Sequence, residues 1–145
     1  MTSFNIRVYG ILIQNNKVLV SDEYIKGLKI TKFPGGGLEF GEGTMDCLKR
    51  EFKEELNLSI EIASHFYTTD FFVNSAFSSH NQLISIYYKV NTQEALGFKT
   101  SEKAFDFDRV KEGAQSMRWI PLTTLSDNDF TFIIDKKVGE MLSEM

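Results

Sequence analysis

Apolar residues gather in short β-branched and aromatic blocks over most of the chain. FNIRVYGILI (4–13) is one block and KVLVSDEY (17–24) is the next. Asn15-Asn16 between them is a turn dipeptide that tolerates positive φ, so the pattern predicts a hairpin. Residues 25–33 lead into Pro34-Gly35-Gly36-Gly37, and LEF at 38–40 is a candidate short strand. The period then lengthens. Met45, Leu48, Phe52 and Leu56 stand at i, i+3, i+7 and i+11, the apolar stripe of an amphipathic helix. Thr44 is its expected N-cap, and Asp46 suits the first turn. Asn57 takes the C′ place because it tolerates the left-handed conformation.

LSIEIASHFYTTDFFV (58–73) and QLISIYYKV (82–90) predict a second hairpin around a loop at 74–81. Residues 91–113 carry few strand signals, and an irregular stretch of about 20 residues usually means function, mobility or local helix. MRWIPL (117–122) reads as a short strand stopped by Pro121. FTFIIDKKVGEMLSEM (130–145) has helical spacing at Phe132, Ile133, Val138, Met141 and Leu142 despite Gly139. The order β-β-(β)-α-β-β-β-α suggests an α+β domain, a mixed sheet with helices packed on it. At 145 residues, with no repeat, low-complexity tract or linker, residues 1–145 are expected to form a single domain.

Composition narrows the function classes. Apolar residues make up 42% and charged ones 25%, near the globular average, and 13 Phe supply core volume. The net charge of −4 provides no global basic field, so no nucleic acid polymer is expected as partner. An anionic substrate would need local cations, from Lys and Arg or from a metal. The one cysteine, Cys47, cannot form an intrachain disulfide or a Cys-cluster metal site. The N-terminus lacks a basic region followed by an apolar run, and no segment approaches the roughly 20 apolar residues that span a bilayer. The expectation is a soluble cytoplasmic protein with no membrane partner.

The candidate chemistry lies on the first helix. Glu51, Glu54 and Glu55 stand at i, i+3 and i+4, so they share a face beside the apolar stripe. Like charges at this spacing cost a few tenths of a kcal/mol per pair. Taken alone, a Glu-rich face is usually solvated surface. Clustered carboxylates are also the ligand set of a hard divalent cation such as Mg²⁺, which is usually shared with substrate phosphates. Arg50 can hold a carboxylate bidentately and fix its rotamer. The glycines let backbone approach a ligand or offer a carbonyl to a metal. Glu42, between loop and helix, can fold back toward the cluster.

The spacing Gly36-x5-Glu42-x7-Arg50-Glu51-Phe52-x-Glu54-Glu55-x-Asn57-Leu58 resembles the Nudix box, G-x5-E-x7-R-E-U-x-E-E-x-G-U, with U apolar. Pro34-Gly35 and the late Trp119-Ile120-Pro121-Leu122 are similar to the family as well. Phe52 stands where a smaller aliphatic residue is usual. Asn57 replaces the last Gly, a helix cap that Asn should preserve at a cost below about 1 kcal/mol. The resemblance to the Nudix hydrolase (MutT-like) family implies an α/β/α sandwich with a mixed β-sheet between helices. It also implies Mg²⁺-dependent hydrolysis, with Mn²⁺ as a substitute, of a small-molecule nucleoside diphosphate linked to another moiety. Nucleotide sugars or ADP-ribose-like compounds rank ahead of noncanonical nucleoside triphosphates. By position, Glu51, Glu54, Glu55 and the Gly35 carbonyl would be metal ligands. Glu51 or Glu55 would orient or deprotonate water, and Arg50 and Glu42 would hold the cluster. The alternative is a sensor that binds a nucleotide metabolite without turning it over. A homodimer is common in similar proteins.

The remaining candidates carry plainer expectations. Cys47 should be a packed thiol. His65 and His80 lack metal-ligand spacing. Phe71, Phe72, Phe77, Phe105 and Phe107 are read as core ahead of base platforms. Glu94, Glu102, Asp106, Asp108 and Glu112 border or occupy the long loop and offer an extra ligand or base, with Glu102 favoured. Arg7, Lys32 and Arg118 can meet phosphate, with a surface role as the default for each.

Overall fold

The computed structural model describes residues 2–145. The strands are β1 (Ser3–Gln14), β2 (Lys17–Ile25), β3 (Leu28–Lys32), β4 (Gly35–Gly37), β5 (Glu61–Thr68), β6 (Asn74–Ser75), β7 (Ser78–Asn91), β8 (Thr100–Ser101) and β9 (Gln115–Pro121). Helix α1 is Thr44–Leu56 and α2 is Ile133–Ser143. The strands form a mixed sheet: the β8–β9 pair is parallel and the other described pairs are antiparallel. A mixed sheet with two helices is the architecture the resemblance implied. Contacts divide the chain into two units. One comprises the chain up to Ile11 and Gly35–Gly97, and the other Leu12–Pro34 and Phe98–Met145.

In the first unit the strand order is β5-β7-β1, with β4 paired to β1 and β6 to β7. The strand before α1 is the glycine triplet itself, and Leu38–Phe40, read above as a strand, lie outside it. Glycine has poor strand propensity, so no local signal marks it. Its pairing comes from β1, in the register Arg7↔Gly37, Val8↔Gly36 and Tyr9↔Gly35. At Gly35, φ is +155°, and a Cβ there would run into the Val8 carbonyl and the Tyr9 side chain.

Helix α1 forms where its period predicts, with Cys47, Leu48, Phe52 and Leu56 buried. Met45 is half exposed, so the stripe begins one turn later than the spacing suggests. Gly43 is the N-cap and makes no side-chain cap bond; the Thr44 hydroxyl pairs instead with the Tyr88 hydroxyl at 2.7 Å. At the other end Asn57 is left-handed, at φ 49° and ψ 39°. The Asn57 and Leu58 amides donate to the Lys53 and Phe52 carbonyls, closing the helix with buried Leu58 beside it. The cap anticipated for Asn57 is present. The large Phe52 has a partner in Gly10, whose Cβ would stand 2.6 Å from the Phe52 Cε1 atom. The ring takes the space that the glycine leaves.

In the second unit Asn15 and Asn16, both at positive φ, turn the end of β1 into β2. The sequence pattern missed β3. Lys26-Gly27, at φ 51° and 76°, makes a second two-residue hairpin whose strands pair from Ser21↔Lys32 to Ile25↔Leu28. Strand β9 lies on the other side of β2, and β8 follows it. Asp22 is fully buried and receives the Arg118 guanidinium at 2.7 and 3.0 Å, the Thr31 hydroxyl at 2.6 Å and the Phe105 amide at 3.0 Å. Of residues 91–113, Asn91 ends β7 and the rest hold only the two-residue β8 as regular structure, and Phe105 sits at φ 54°. Helix α2 starts later than its pattern predicts. Phe132 is its N-cap, Ile133 is exposed, and Ile134, Asp135, Val138, Gly139 and Leu142 are buried. Gly139 admits the Phe130 ring, which stacks on Phe33 at 4.6 Å.

The fit between Gly10 and Phe52 can be tested. Gly10→Ala should lower stability by about 1–3 kcal/mol through overpacking. Adding Phe52→Leu should return part of that loss, because the two residues share one space. Urea denaturation of the two single variants and the double variant measures the coupling, and additive losses would refute it.

Candidate active site

One guanidinium organises the acidic face of α1. Arg50 Nε and Nη2 donate to the two oxygens of Glu42 at 2.9 and 2.8 Å, a fork-to-fork pair. Its Nη1 donates to Glu51 at 2.9 Å and to Glu54 at 3.2 Å, and Glu39 lies 3.8 Å away. Nη2 also reaches the Gly37 carbonyl at 3.1 Å, which ties the helix to the glycine strand. The same carboxylates that repel at helical spacing are therefore drawn onto one cation. The Glu39 amide adds a bond to Glu42 at 2.9 Å.

The glycines set how close the helix comes. A Cβ on Gly36 would fall on the Glu51 carboxyl group, 2.5 Å from Oε2. Any side chain there would displace Glu51. The Glu51 side chain is mostly buried, at 13% exposure, whereas Glu54 is open at 61% and Glu55 is exposed. Cys47 is packed as expected. Its thiol faces the Gly37 carbonyl at 3.5 Å, and burial pushes its pKa up to about 11, so it stays protonated at neutral pH.

The Arg50 fork, helped by the Glu39 amide, holds the Glu42 carboxyl down at about 2. In turn Glu42, followed by Glu51, raises the Arg50 guanidinium above its ordinary value. Both groups are fully ionised near neutrality. Among the described residues no three His, Cys, Asp or Glu side chains converge in a cation-holding arrangement. Glu51 and Glu54 lie on Arg50 instead. The donor chemistry still suits a hard divalent cation, because every side-chain donor is a carboxylate oxygen and a guanidinium already occupies the centre of positive charge.

The other sequence candidates are placed as follows. Glu94, in the first unit, accepts the Ser59 amide at 2.8 Å. In the second unit Glu102 pairs with Lys17 at 2.6 Å, which holds it below the ordinary carboxylate range. Glu112 accepts the Lys26 amide, Asp106 the Ser101 hydroxyl, and Asp108 pairs with Lys99. Lys32 is buried with Glu23 at 3.4 Å, and Arg118 with Asp22, so neither has the surface role taken as default. His65 bonds the Thr68 hydroxyl at 2.8 Å. Phe71, Phe72 and Phe77 are exposed rather than core, and Phe105 and Phe107 are half-buried. Phe72 and His80 line a pocket with Phe4, Asn74 and Gln82. Arg7, read above as a surface cation able to meet phosphate, is half-buried with its guanidinium beside the glycine strand; its position opposite Gly37 becomes visible only in the strand register.

A mixed sheet, a glycine strand and an acidic helix joined by one arginine define a domain of the Nudix fold class. The sequence matches the NUDIX domain family over residues 4–138. The chain belongs to the Nudix family, hydrolases of pyrophosphate bonds. Among curated proteins there is no match. Solved structures agree on the fold. A MutT protein of the Nudix hydrolase family from methicillin-resistant Staphylococcus aureus 252 superposes with a TM-score of 0.68 at 20% identity, over 99% of this chain and 98% of that one. An ADP-ribose pyrophosphatase from Streptococcus suis 89-1591 gives 0.61 at 15% identity, over 96% and 87%. A UDP-X diphosphatase gives 0.65 at 10% identity, over 99% and 64%.

The depressed Glu42 pKa has a stability consequence. Its folded value of about 2 lies below the ordinary 4.5. The interaction therefore stabilises fully above pH 4.5 and is lost as pH falls toward 2. Glu42→Gln should be less stable than wild type at pH 6, and the gap in urea midpoint should close between pH 5 and 2. A gap that stays constant over that range would refute the assignment.

Proposed function

We propose that this chain is a divalent-metal-dependent pyrophosphohydrolase, a single Nudix domain, that cleaves a nucleoside diphosphate linked to a second moiety. The observation that carries the reading is the Arg50 hub. It fixes Glu42, Glu51 and Glu54 against a strand in which Gly35 and Gly36 leave no room for a Cβ. Glu51, Glu54, Glu55 and the Gly35 carbonyl would hold Mg²⁺ or Mn²⁺. Such an ion, when bound, supplies a lowered pKa for water and neutralises charge on the diphosphate. The chain's own carboxylates do the rest. Glu55, which is exposed and adjacent to Glu54, would orient or deprotonate the attacking water, with Glu51 as the other candidate. Arg50 and Glu42 keep the helix and glycine strand in register while charge changes around them. Water oxygen forms a bond to one phosphorus, the anhydride bond breaks, and the products are a nucleoside monophosphate and the phosphorylated second moiety.

Nucleotide sugars and ADP-ribose-like compounds are the first substrates to try, followed by noncanonical nucleoside triphosphates. The named activities of the Streptococcus suis and UDP-X neighbours fit the first group. No helix among the described residues is long and apolar enough to cross a membrane. The lone buried thiol suits a reducing compartment such as the cytoplasm.

A panel of these compounds incubated with Mg²⁺, with products read by mass spectrometry, tests the reading. One group should turn over. EDTA should abolish turnover, and added Mg²⁺ or Mn²⁺ should restore it. Glu54→Gln and Glu55→Gln should each lower kcat/KM by about 10²–10⁴-fold, the range for a lost general base or charge-stabilising group. Turnover that survives in Glu55→Gln would sink its role. Tight binding of one compound with no turnover of any would replace the hydrolase with a nucleotide-metabolite sensor.

A further inference from the structure

A strand built only of glycine separates two sets of charge. Successive residues of a strand face opposite sides. On the Gly36 side, the Glu51 carboxyl fills the place a Cβ would take. On the Gly37 side stands Arg7, opposite Gly37 in register, with Nη1 3.5 Å from the Gly37 Cβ position. The strand itself puts no side chain between guanidinium and carboxylate.

Arg7 is aimed rather than loose. Its Nε donates to the Tyr9 hydroxyl at 3.1 Å, and its guanidinium carbon lies 5.8 Å from the Tyr9 ring centre. Tyr9 in turn packs on Tyr87 at 5.2 Å. This arrangement uses Nε alone. Among the described residues no carboxylate lies within ion-pair distance of Arg7, and no buried side-chain nitrogen lacks a partner. The two Nη groups are therefore not tied to a carboxylate, and the residue is only partly buried. Lys32, Arg50 and Arg118 differ, since each is already paired with a carboxylate. Burial works against the Arg7 charge, but the Tyr9 oxygen and the Glu51 and Glu55 carboxylates outweigh it, so the group stays ionised.

A planar guanidinium with both Nη groups available is the side chain best suited to hold two oxygens of one phosphate. We propose that Arg7 grips non-bridging phosphate oxygens of the substrate, from the side of the glycine strand opposite Glu51. The identity of the anion rests on the function proposed above. The guanidinium also distinguishes a diphosphate from a neutral ligand, which makes Arg7 a specificity-determining residue.

The probe is imidodiphosphate, which resists hydrolysis, titrated calorimetrically into wild type, Arg7→Gln and Arg7→Lys with Mg²⁺ present. Arg7→Gln should weaken binding more than fivefold. Should that variant not fold, Arg7→Lys decides. It keeps the charge but not the fork, and a loss above twofold is expected. Smaller changes, or no binding to the wild type, would overturn the proposal. So would a fall in melting temperature with Kd unchanged, the mark of a merely structural arginine. The two readings fail separately. Arg7-dependent binding with no turnover of any panel compound would remove the hydrolase and keep the phosphate grip. Turnover with Arg7-independent binding would do the reverse.

Discussion

The acidic face of α1 exists in this form because one guanidinium holds it. Glu39, Glu42, Glu51 and Glu54 all point at Arg50, and the Gly37 carbonyl completes its shell. Without that charge the carboxylates would repel at helical spacing, and the loop from Leu38 to Gly43 would lose its tie to the helix. The arrangement also demands Gly36, because Glu51 can reach Arg50 only where no side chain intervenes. Sequence spacing, strand pairing and electrostatics meet at this one residue. Removing it would do more than delete a bond. It would leave partly buried carboxylates without a counter-charge, which is the costly way to break a network.

The second unit uses the same device to a different end. Arg118 forks onto Asp22, Thr31 and the Phe105 amide complete the set, and Asp22 is closed off from solvent. Every charge there is answered by a partner inside the fold. Such a network orders a long segment, here the one that carries Phe105 at positive φ. The Arg50 network differs in that Glu54 is mostly exposed and Glu55 fully belongs to the surface. Buried, satisfied charge is architecture, whereas charge held at a surface can exchange partners. That contrast, more than the number of carboxylates, separates the candidate site from the structural ion pair.

Legibility from sequence followed the range of the forces involved. The α1 period, the Asn15-Asn16 turn and the Asn57 cap are local, and all three are present in the structure. The glycine strand was missed because its pairing is dictated by β1 and not by its own residues. Strand β3 was missed because Lys26-Gly27 is a weaker turn signal than Asn-Gly, although it adopts the same left-handed pair. Met45 and Ile133 are apolar yet exposed, because each stands in the first turn of its helix, ahead of the residues that the fold covers. The Phe71, Phe72 and Phe77 cluster is outside for the same reason: hydrophobicity predicts burial only where an element arrives to cover it. At the candidate site the box residues were legible, and Arg7 was legible as a cation able to meet phosphate but not as a neighbour of Gly37, since nothing in spacing places it there.

Charge balance argues for what the site must be given. Around the glycine strand, the guanidiniums of Arg7 and Arg50 face the carboxylates of Glu39, Glu42, Glu51, Glu54 and Glu55. Glu42 stays ionised down to about pH 2, so protonation does not relieve the excess near neutrality. A diphosphate brought to this surface alone would meet net repulsion, and Arg7 by itself could not reverse it. Arg50 is already saturated by its own carboxylates and has no donor to lend. On the proposed function, binding a polyanion here would call for added positive charge, and the all-oxygen donors suit a hard ion to bring it. The same constraint applies whether the bound compound is cleaved or only sensed. The metal dependence proposed above would thus follow from the charge distribution, while turnover would depend on where carboxylates freed from Arg50 then stand.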